Sequence, residues 1–118
     1  MKLISWNVNG LRAVVRKDNL KDVLALRPDI LCLQETKAHP DQLDENTRNL
    51  KGYFAYFSSS KIKKGYSGVA LYSKIEPERV EYGIGIPEFD QEGRIIIGHY
   101  SDFVLLNVYF PNGGGGPE

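Results

Sequence analysis

Asp29-Ile30-Leu31-Cys32-Leu33-Gln34-Glu35 is a nearly continuous apolar run that ends in two polar side chains. Four adjacent apolar residues leave no face for water, so the run predicts a short strand covered on both sides. Pro28 closes whatever precedes it. Upstream, residues 2–6 read as a second strand that stops at Asn7-Val8-Asn9-Gly10. Between the two, Leu11, Val14 and Val15, then Leu20, Val23, Leu24 and Arg27, keep helical spacing, with Asp18 expected to cap the second piece. A strand, a helical crossover and a strand predict parallel neighbours. Downstream, residues 41–50 read as a short polar helix. Residues 53–58, 68–73, 80–82, 94–99 and 103–109 read as further strands, with turns at Lys64-Gly65, Glu92-Gly93 and Ser101-Asp102. The order predicts a mixed α/β layer.

Ile30-Leu31-Cys32-Leu33, Ile95-Ile96-Ile97 and Phe103-Val104-Leu105-Leu106 place apolar side chains on both faces of their sheet. Helices within residues 11–26 can cover one face, and no remaining segment is expected to cover the other. A bare inner face predicts a chain that is unstable alone, associates with itself, or sits beside a separate segment that supplies the missing cover. The tail Phe110-Pro111-Asn112-Gly113-Gly114-Gly115-Gly116-Pro117-Glu118 reads either as a tether or as an internal loop of a longer protein, and the bare face favours the loop.

The sequence has 118 residues, one domain's worth. Hydrophobic residues at 42% and charged residues at 25% exclude a disordered chain. No apolar run approaches the roughly 18 residues of a membrane span, and the start lacks a secretory pattern, so no membrane partner is expected. A single cysteine excludes a disulfide framework and a cysteine zinc cluster, and fits a reducing, cytoplasmic compartment. Cys32 itself, in an apolar strand, reads as structural. The formal net charge is zero, but residues 1–74 carry thirteen basic and seven acidic side chains, and residues 75–118 carry two and eight. Such a bipolar chain either offers one face to a polyanion or solvates its charges.

Asn7 and Glu35 end two neighbouring strands and are expected to face the crevice beyond the strand ends. A carboxylate beside a carboxamide suits Mg²⁺, which takes hard oxygen ligands and keeps most of its waters. The alternative for Glu35 is a surface or capping residue. Tyr109 and Asn112 end the last strand in the same way and suit phosphate oxygens; the alternative for Tyr109 is a half-buried strand aromatic. Lys61, Lys63 and Lys64 beside Gly65-Tyr66-Ser67-Gly68 suit a loop on a nucleic-acid backbone, or else a solvated hairpin tip. His39 and His99 fit surface or core roles better than catalysis. Gly83-Ile84-Gly85 lacks the third glycine and following helix of a dinucleotide fingerprint.

In order along the chain, six segments resemble the exonuclease III type of apurinic/apyrimidinic (AP) endonucleases, within the endonuclease–exonuclease–phosphatase superfamily. They are Ile4-Ser5-Trp6-Asn7-Val8-Asn9-Gly10-Leu11-Arg12-Ala13, Pro28 to Lys37, Gly65-Tyr66-Ser67-Gly68-Val69, Tyr82-Gly83-Ile84-Gly85, Asp90-Gln91-Glu92-Gly93-Arg94 and Val108-Tyr109-Phe110-Pro111-Asn112. The resemblance implies a four-layer α/β sandwich of which residues 1–118 form the N-terminal half: a mixed sheet flanked by helices on one face, each half of the family chain building largely one sheet. It implies that Glu35 binds the metal and that Asn7 helps arrange it. It also implies that Tyr109 is the active-site tyrosine and that Asn112 lies close to the scissile phosphate. Arg12, Lys37 and Tyr66 match positions near the DNA backbone. Asn9 stands where some members have an aspartate. The implied cofactor is Mg²⁺, with Mn²⁺ as a substitute.

The family's later Gly-Asp-x-Asn and Ser-Asp-His motifs are absent, and Ser101-Asp102 is followed by Phe103. The resemblance therefore implies the N-terminal part of a Mg²⁺-dependent DNA-repair nuclease. The parent would be an AP endonuclease and 3′–5′ exodeoxyribonuclease acting on double-stranded DNA at abasic sites or 3′ ends, while the 118 residues alone are inactive. Two rival readings are a non-catalytic half-length module that binds DNA or a protein, and a phosphatase of the same superfamily.

Overall fold

The computed structural model describes residues 1–111. Strand β1 (Leu3–Asn7) leads through helices α1 (Leu11–Arg16) and α2 (Asn19–Leu24) to β2 (Ile30–Gln34). The two strands lie side by side in parallel, Leu3 opposite Ile30 and Asn7 opposite Gln34. A 3-10 turn at Pro40–Gln42 and the single-turn α3 (Glu45–Arg48) carry the chain to β3 (Phe54–Ser58). Strand β4 (Val69–Ser73) then inserts antiparallel between β2 and β3, giving the order β1-β2-β4-β3. The remaining elements, β5 (Arg79–Glu81), α4 (Pro87–Asp90), β6 (Ile95–His99) and β7 (Val104–Val108), supply a separate antiparallel sheet in the order β5-β6-β7. Asp18 occupies the expected cap position of α2, but in a left-handed conformation and without a side-chain bond to the helix.

The architecture is α/β, with a mixed four-stranded sheet and helices on one of its faces. The expectation of a bare second face is corrected. Three strands assigned to the same sheet form a second sheet, and that sheet packs on the face left open. Alternation along the strands explains the arrangement. In β2 and β4, Leu31, Leu33, Ala70 and Tyr72 turn to the helix side and join Leu11, Val14 and Leu20. Ile30, Cys32, Val69 and Leu71 turn the other way and meet Ile96 and Tyr100, with Val80, Phe103, Leu105 and Tyr109 partly buried around them. Each fully buried Leu or Ile of this interface contributes about 1.5–3 kcal/mol. The chain thus builds parts of both sheets rather than one.

Polar pins fix how the sheets meet. Asn107 on β7 is buried and donates to the carbonyl oxygen of Ala70 at 2.7 Å, while its own oxygen accepts from Gln34 Nε2 at 2.9 Å. Gln34 Nε2 also donates to Ser5 Oγ at 3.0 Å, and the Tyr100 hydroxyl donates to Ser73 Oγ at 2.9 Å. Exposed apolar surface remains, but elsewhere than expected. Val104 (54% exposed) and Leu106 (58%) stand on the outer face of the second sheet, and Leu3 (45%) lies at the β1 edge.

Candidate active site

Strands β1, β2 and β3 end together where β4 begins, because β4 runs antiparallel to β2 and β3. The loops at this end are laced by backbone bonds. Gly10 N–H donates to the Glu35 carbonyl at 2.8 Å and Leu11 N–H to that of Thr36 at 2.9 Å. Thr36 N–H reaches the Gly68 carbonyl at 3.0 Å and Lys37 N–H that of Ser67 at 2.8 Å. Gly68 N–H and the Ser67 hydroxyl both donate to the Gly93 carbonyl, at 3.0 and 3.1 Å. The two glycines are required by space: a Cβ on Gly68 would lie 2.3 Å from Thr36 Oγ1, and one on Gly93 2.5 Å from the Ser59 backbone.

Asn9, Glu35, Lys37 and Ser67 all have positive φ, between 47° and 60°. Only two other non-glycine described residues do, Asp18 and Arg27. A left-handed residue with a Cβ costs about 1–2 kcal/mol, less for Asn. Such strain persists where surrounding bonds over-determine the backbone, and it concentrates at functional sites. Here the lacing over-determines it.

The lacing holds Glu35 just past β2, beside Asn7 at the end of the parallel neighbour. Asn7 Oδ1 accepts from Asn9 N–H at 3.0 Å. The Tyr109 hydroxyl, arriving from the second sheet, donates to Glu35 Oε2 at 3.0 Å. Burial, then the bond to Glu35 and its charge, push the Tyr109 phenol up from its ordinary value, while Arg94 pulls it back; the phenol stays neutral and remains a donor. Among the described residues, no group of three or more His, Cys, Asp or Glu side chains is placed to hold a metal. Glu35 and Asn7 instead offer one hard carboxylate and one amide. That donor set fits an ion which keeps several waters and takes a substrate phosphate.

Arg12 and Lys37 lie together on the flank of this end. Arg12 Nη2 donates to the Lys37 carbonyl at 3.2 Å, and both line a small concavity with Gly10 and Arg16. Lys37 Nζ donates to Asn9 Oδ1 at 2.7 Å, so Asn9 here anchors a lysine. Tyr66 lies on the other side, its hydroxyl donating to Glu92 Oε1 at 3.2 Å, and Glu92 is paired with Arg94. Burial works against the Arg94 charge, and the bonds to Glu92 and Tyr66 outweigh it, so the guanidinium is held charged.

The structure therefore brings Asn7, Glu35, Tyr109, Arg12, Lys37 and Tyr66 to one end of the sandwich. Asn112 lies outside the described residues. The Lys61, Lys63 and Lys64 side chains are exposed on the loop before Tyr66. His39 contacts the Ser59 hydroxyl at 3.0 Å, and with Lys61, Tyr82 and Asp90 it lines a cavity of about 370 Å³ that none of Asn7, Glu35 and Tyr109 borders. His99 meets Glu81 at 2.6 Å on β5–β6. Cys32 is buried between the sheets, its thiol pushed up to about 12 by burial. Sequence reasoning missed Asn107, Glu92 and Arg94. The one available signal for Asn107 was an amide inside an otherwise apolar strand; for Glu92 and Arg94 it was their place in the family-like segment 90–94, which by itself names no contact for either.

The Endonuclease/Exonuclease/phosphatase family pattern matches residues 4–117, and the chain belongs to this family. Nucleases of the family are generally divalent-metal dependent. The chain is 53% identical over 114 residues to Recombination repair protein 1 of Drosophila melanogaster, covering 97% of this chain and 16% of the relative. It is 50% identical over 119 residues to the exodeoxyribonuclease of Bacillus subtilis, covering all of this chain and 46% of that protein. Among solved structures, the AP endonuclease of Leishmania major superposes with a TM-score of 0.80 at 34% identity, over 98% of this chain and 41% of that one. The 3′ phosphatase from Neisseria, solved bound to a product DNA hairpin, gives 0.76 at 33% identity over 92% and 41%. The chain spans less than half the length of these relatives.

Proposed function

We propose that this chain supplies the metal- and phosphate-contacting part of a Mg²⁺-dependent DNA-repair nuclease, which hydrolyses phosphodiesters 5′ to abasic sites and trims 3′ ends. The observation that carries the reading is the bond between Tyr109 and Glu35, made across two sheets at the laced end, with Arg12 and Lys37 on its flank. Names of relatives support it: an exodeoxyribonuclease, AP endonucleases and a DNA-bound 3′ phosphatase.

In this reading Glu35 is the anionic ligand of the metal, and Asn7, tethered through Asn9, orients beside it. Tyr109 donates to Glu35, which fixes the carboxylate that would hold the ion. Arg12 and Lys37 hold backbone phosphates of either strand without reading sequence. A bound Mg²⁺ supplies charge stabilisation on the phosphate and the leaving oxygen. Water activation belongs to the family motifs this sequence lacks, so the activity is assigned to the whole protein. The free, buried Cys32 is consistent with a reducing, cytoplasmic setting.

The test uses the whole protein on an abasic duplex, a 3′-phosphorylated end and a phosphoinositide across a Mg²⁺ series. Glu35→Gln is expected to lower nicking of the abasic duplex by orders of magnitude at limiting Mg²⁺. Wild-type rate and Mg²⁺ dependence in that variant remove Glu35 from the site. Turnover of the phosphoinositide alone moves the protein to the phosphatase branch, and DNA binding without any turnover moves it to the binding-module reading.

A further inference from the structure

The site just described leaves one charged pair without a role. Glu92 and Arg94 flank Gly93, and their side chains pair while only 24% and 22% exposed. The same carboxylate oxygen that takes the Arg94 guanidinium also accepts the Tyr66 hydroxyl. The guanidinium lies over the Phe89 ring, 5.3 Å from its centre. Its Nε is buried and has no hydrogen-bond partner, the one such side-chain atom among the described residues. The guanidinium is committed to Glu92 and to the Phe89 ring.

The backbone of the same three residues grips both tyrosines of the site. The Gly93 carbonyl takes the Ser67 hydroxyl and the Gly68 N–H, directly after Tyr66, and Ser67 is held at φ 60°. The Arg94 carbonyl takes the Tyr109 N–H at 2.8 Å. Backbone bonds set where the Tyr66 loop lies but leave its ring free to turn about its own side-chain bonds. The Glu92 contact removes that freedom, and Arg94 fixes Glu92 while neutralising a carboxylate that otherwise repels phosphate.

We propose that Glu92 and Arg94 are positioning residues that hold Tyr66 in its DNA-facing orientation. This rests on the DNA reading of the site given above. Neither residue touches the phosphate; both act through the Tyr66 ring. The hydroxyl of Tyr66 is spent on Glu92, so what the residue offers to a DNA backbone is the edge and face of its ring. The effect therefore falls on binding rather than on the chemical step.

The experiment measures kcat and KM on an abasic duplex with Mg²⁺, and duplex Kd by anisotropy in EDTA. It compares the whole wild-type protein with Tyr66→Phe, Glu92→Gln, Arg94→Lys and the Tyr66→Phe/Glu92→Gln double variant. Each single variant is expected to raise KM and Kd about fivefold to tenfold, the effect of one ordinary hydrogen bond, with kcat within about twofold. The double variant is expected to be no worse than the worse single one, because both changes act on the same Tyr66–Glu92 contact. Arg94→Ala, measured beside this set, is expected to lose more than Arg94→Lys, which keeps the charge. Unchanged KM and Kd, additive losses in the double variant, or a fall in kcat alone each overturn the proposal. Should the Arg94 variants fail to fold, judged by melting temperature, the Tyr66–Glu92 pair decides alone, since both changes are nearly isosteric. Wild-type protein that binds no duplex overturns the DNA reading and this proposal together; duplex binding that is equal in wild type and all variants overturns only the positioning.

Discussion

Strands β4 and β7 have the same length and nearly the same apolar character, Val69-Ala70-Leu71-Tyr72-Ser73 against Val104-Leu105-Leu106-Asn107-Val108. Every residue of β4 is buried, while β7 alternates, with Val104 and Leu106 exposed and Asn107 buried. Their layers explain the difference. Strand β4 lies between helices and a second sheet, whereas in the described residues β7 has cover on its inner face alone. Apolar content therefore does not report burial in this molecule; the number of layers around a strand does.

The sharpest way to break that comparison is to truncate matched leucines. Leu71→Ala removes a side chain from the core between the sheets and is expected to cost about 2–5 kcal/mol in urea unfolding. Leu106→Ala is expected to change stability by less than about 0.5 kcal/mol. Equal losses would mean that the outer face of β7 is as buried as β4.

Asn107→Ala comes next, at about 1–3 kcal/mol, because it removes the bonds to the Ala70 carbonyl and the Gln34 amide. A neutral result in the same unfolding assay would show that packing alone sets the register between the sheets.

Cys32 sharpens the contrast through pH. Its folded pKa is raised from 9.0 to about 12, so the unfolded chain ionises first. The thiol's contribution is fully present below pH 9 and is lost as pH rises towards 12. At pH 10 the unfolding equilibrium is expected to shift roughly tenfold relative to a Cys32→Ala variant. Thiol reagents at pH 8 should label the chain only in denaturant. Rapid labelling of folded protein would open the interface between the sheets to solvent.

The smallest effect belongs to the outer face. Val104→Lys with Leu106→Lys is expected to leave stability within about 0.5 kcal/mol and to lower association at high concentration, read by light scattering. A large loss of stability in that double variant would place both side chains in a core.

The placement of three candidate site residues was readable residue by residue. Asn7, Glu35 and Tyr109 stand at strand ends, and strand ends follow from where apolar runs stop. The residues around them were not readable. Glu35, Lys37 and Ser67 adopt left-handed backbone conformations that no glycine announces. The lacing joins distant stretches of the chain: Thr36 and Lys37 bond to Gly68 and Ser67, and Ser67 and Gly68 bond to Gly93. Glu92 and Arg94 stand in a family-like segment, but only the fold sets Tyr66 against them.

The sequence by itself determined the elements, the family and the parallel β1–β2 pair, because periodicity, stop residues and short motifs are local properties. It did not determine the number of sheets. Ile95-Ile96-Ile97 and Phe103-Val104-Leu105-Leu106 read as strands buried on both faces of one sheet. Only the tertiary structure placed them in a second sheet, whose inner residues cover Ile30, Cys32, Val69 and Leu71. Strand pairing joins residues distant in sequence, and an apolar strand carries no mark of which partner or which layer completes its burial.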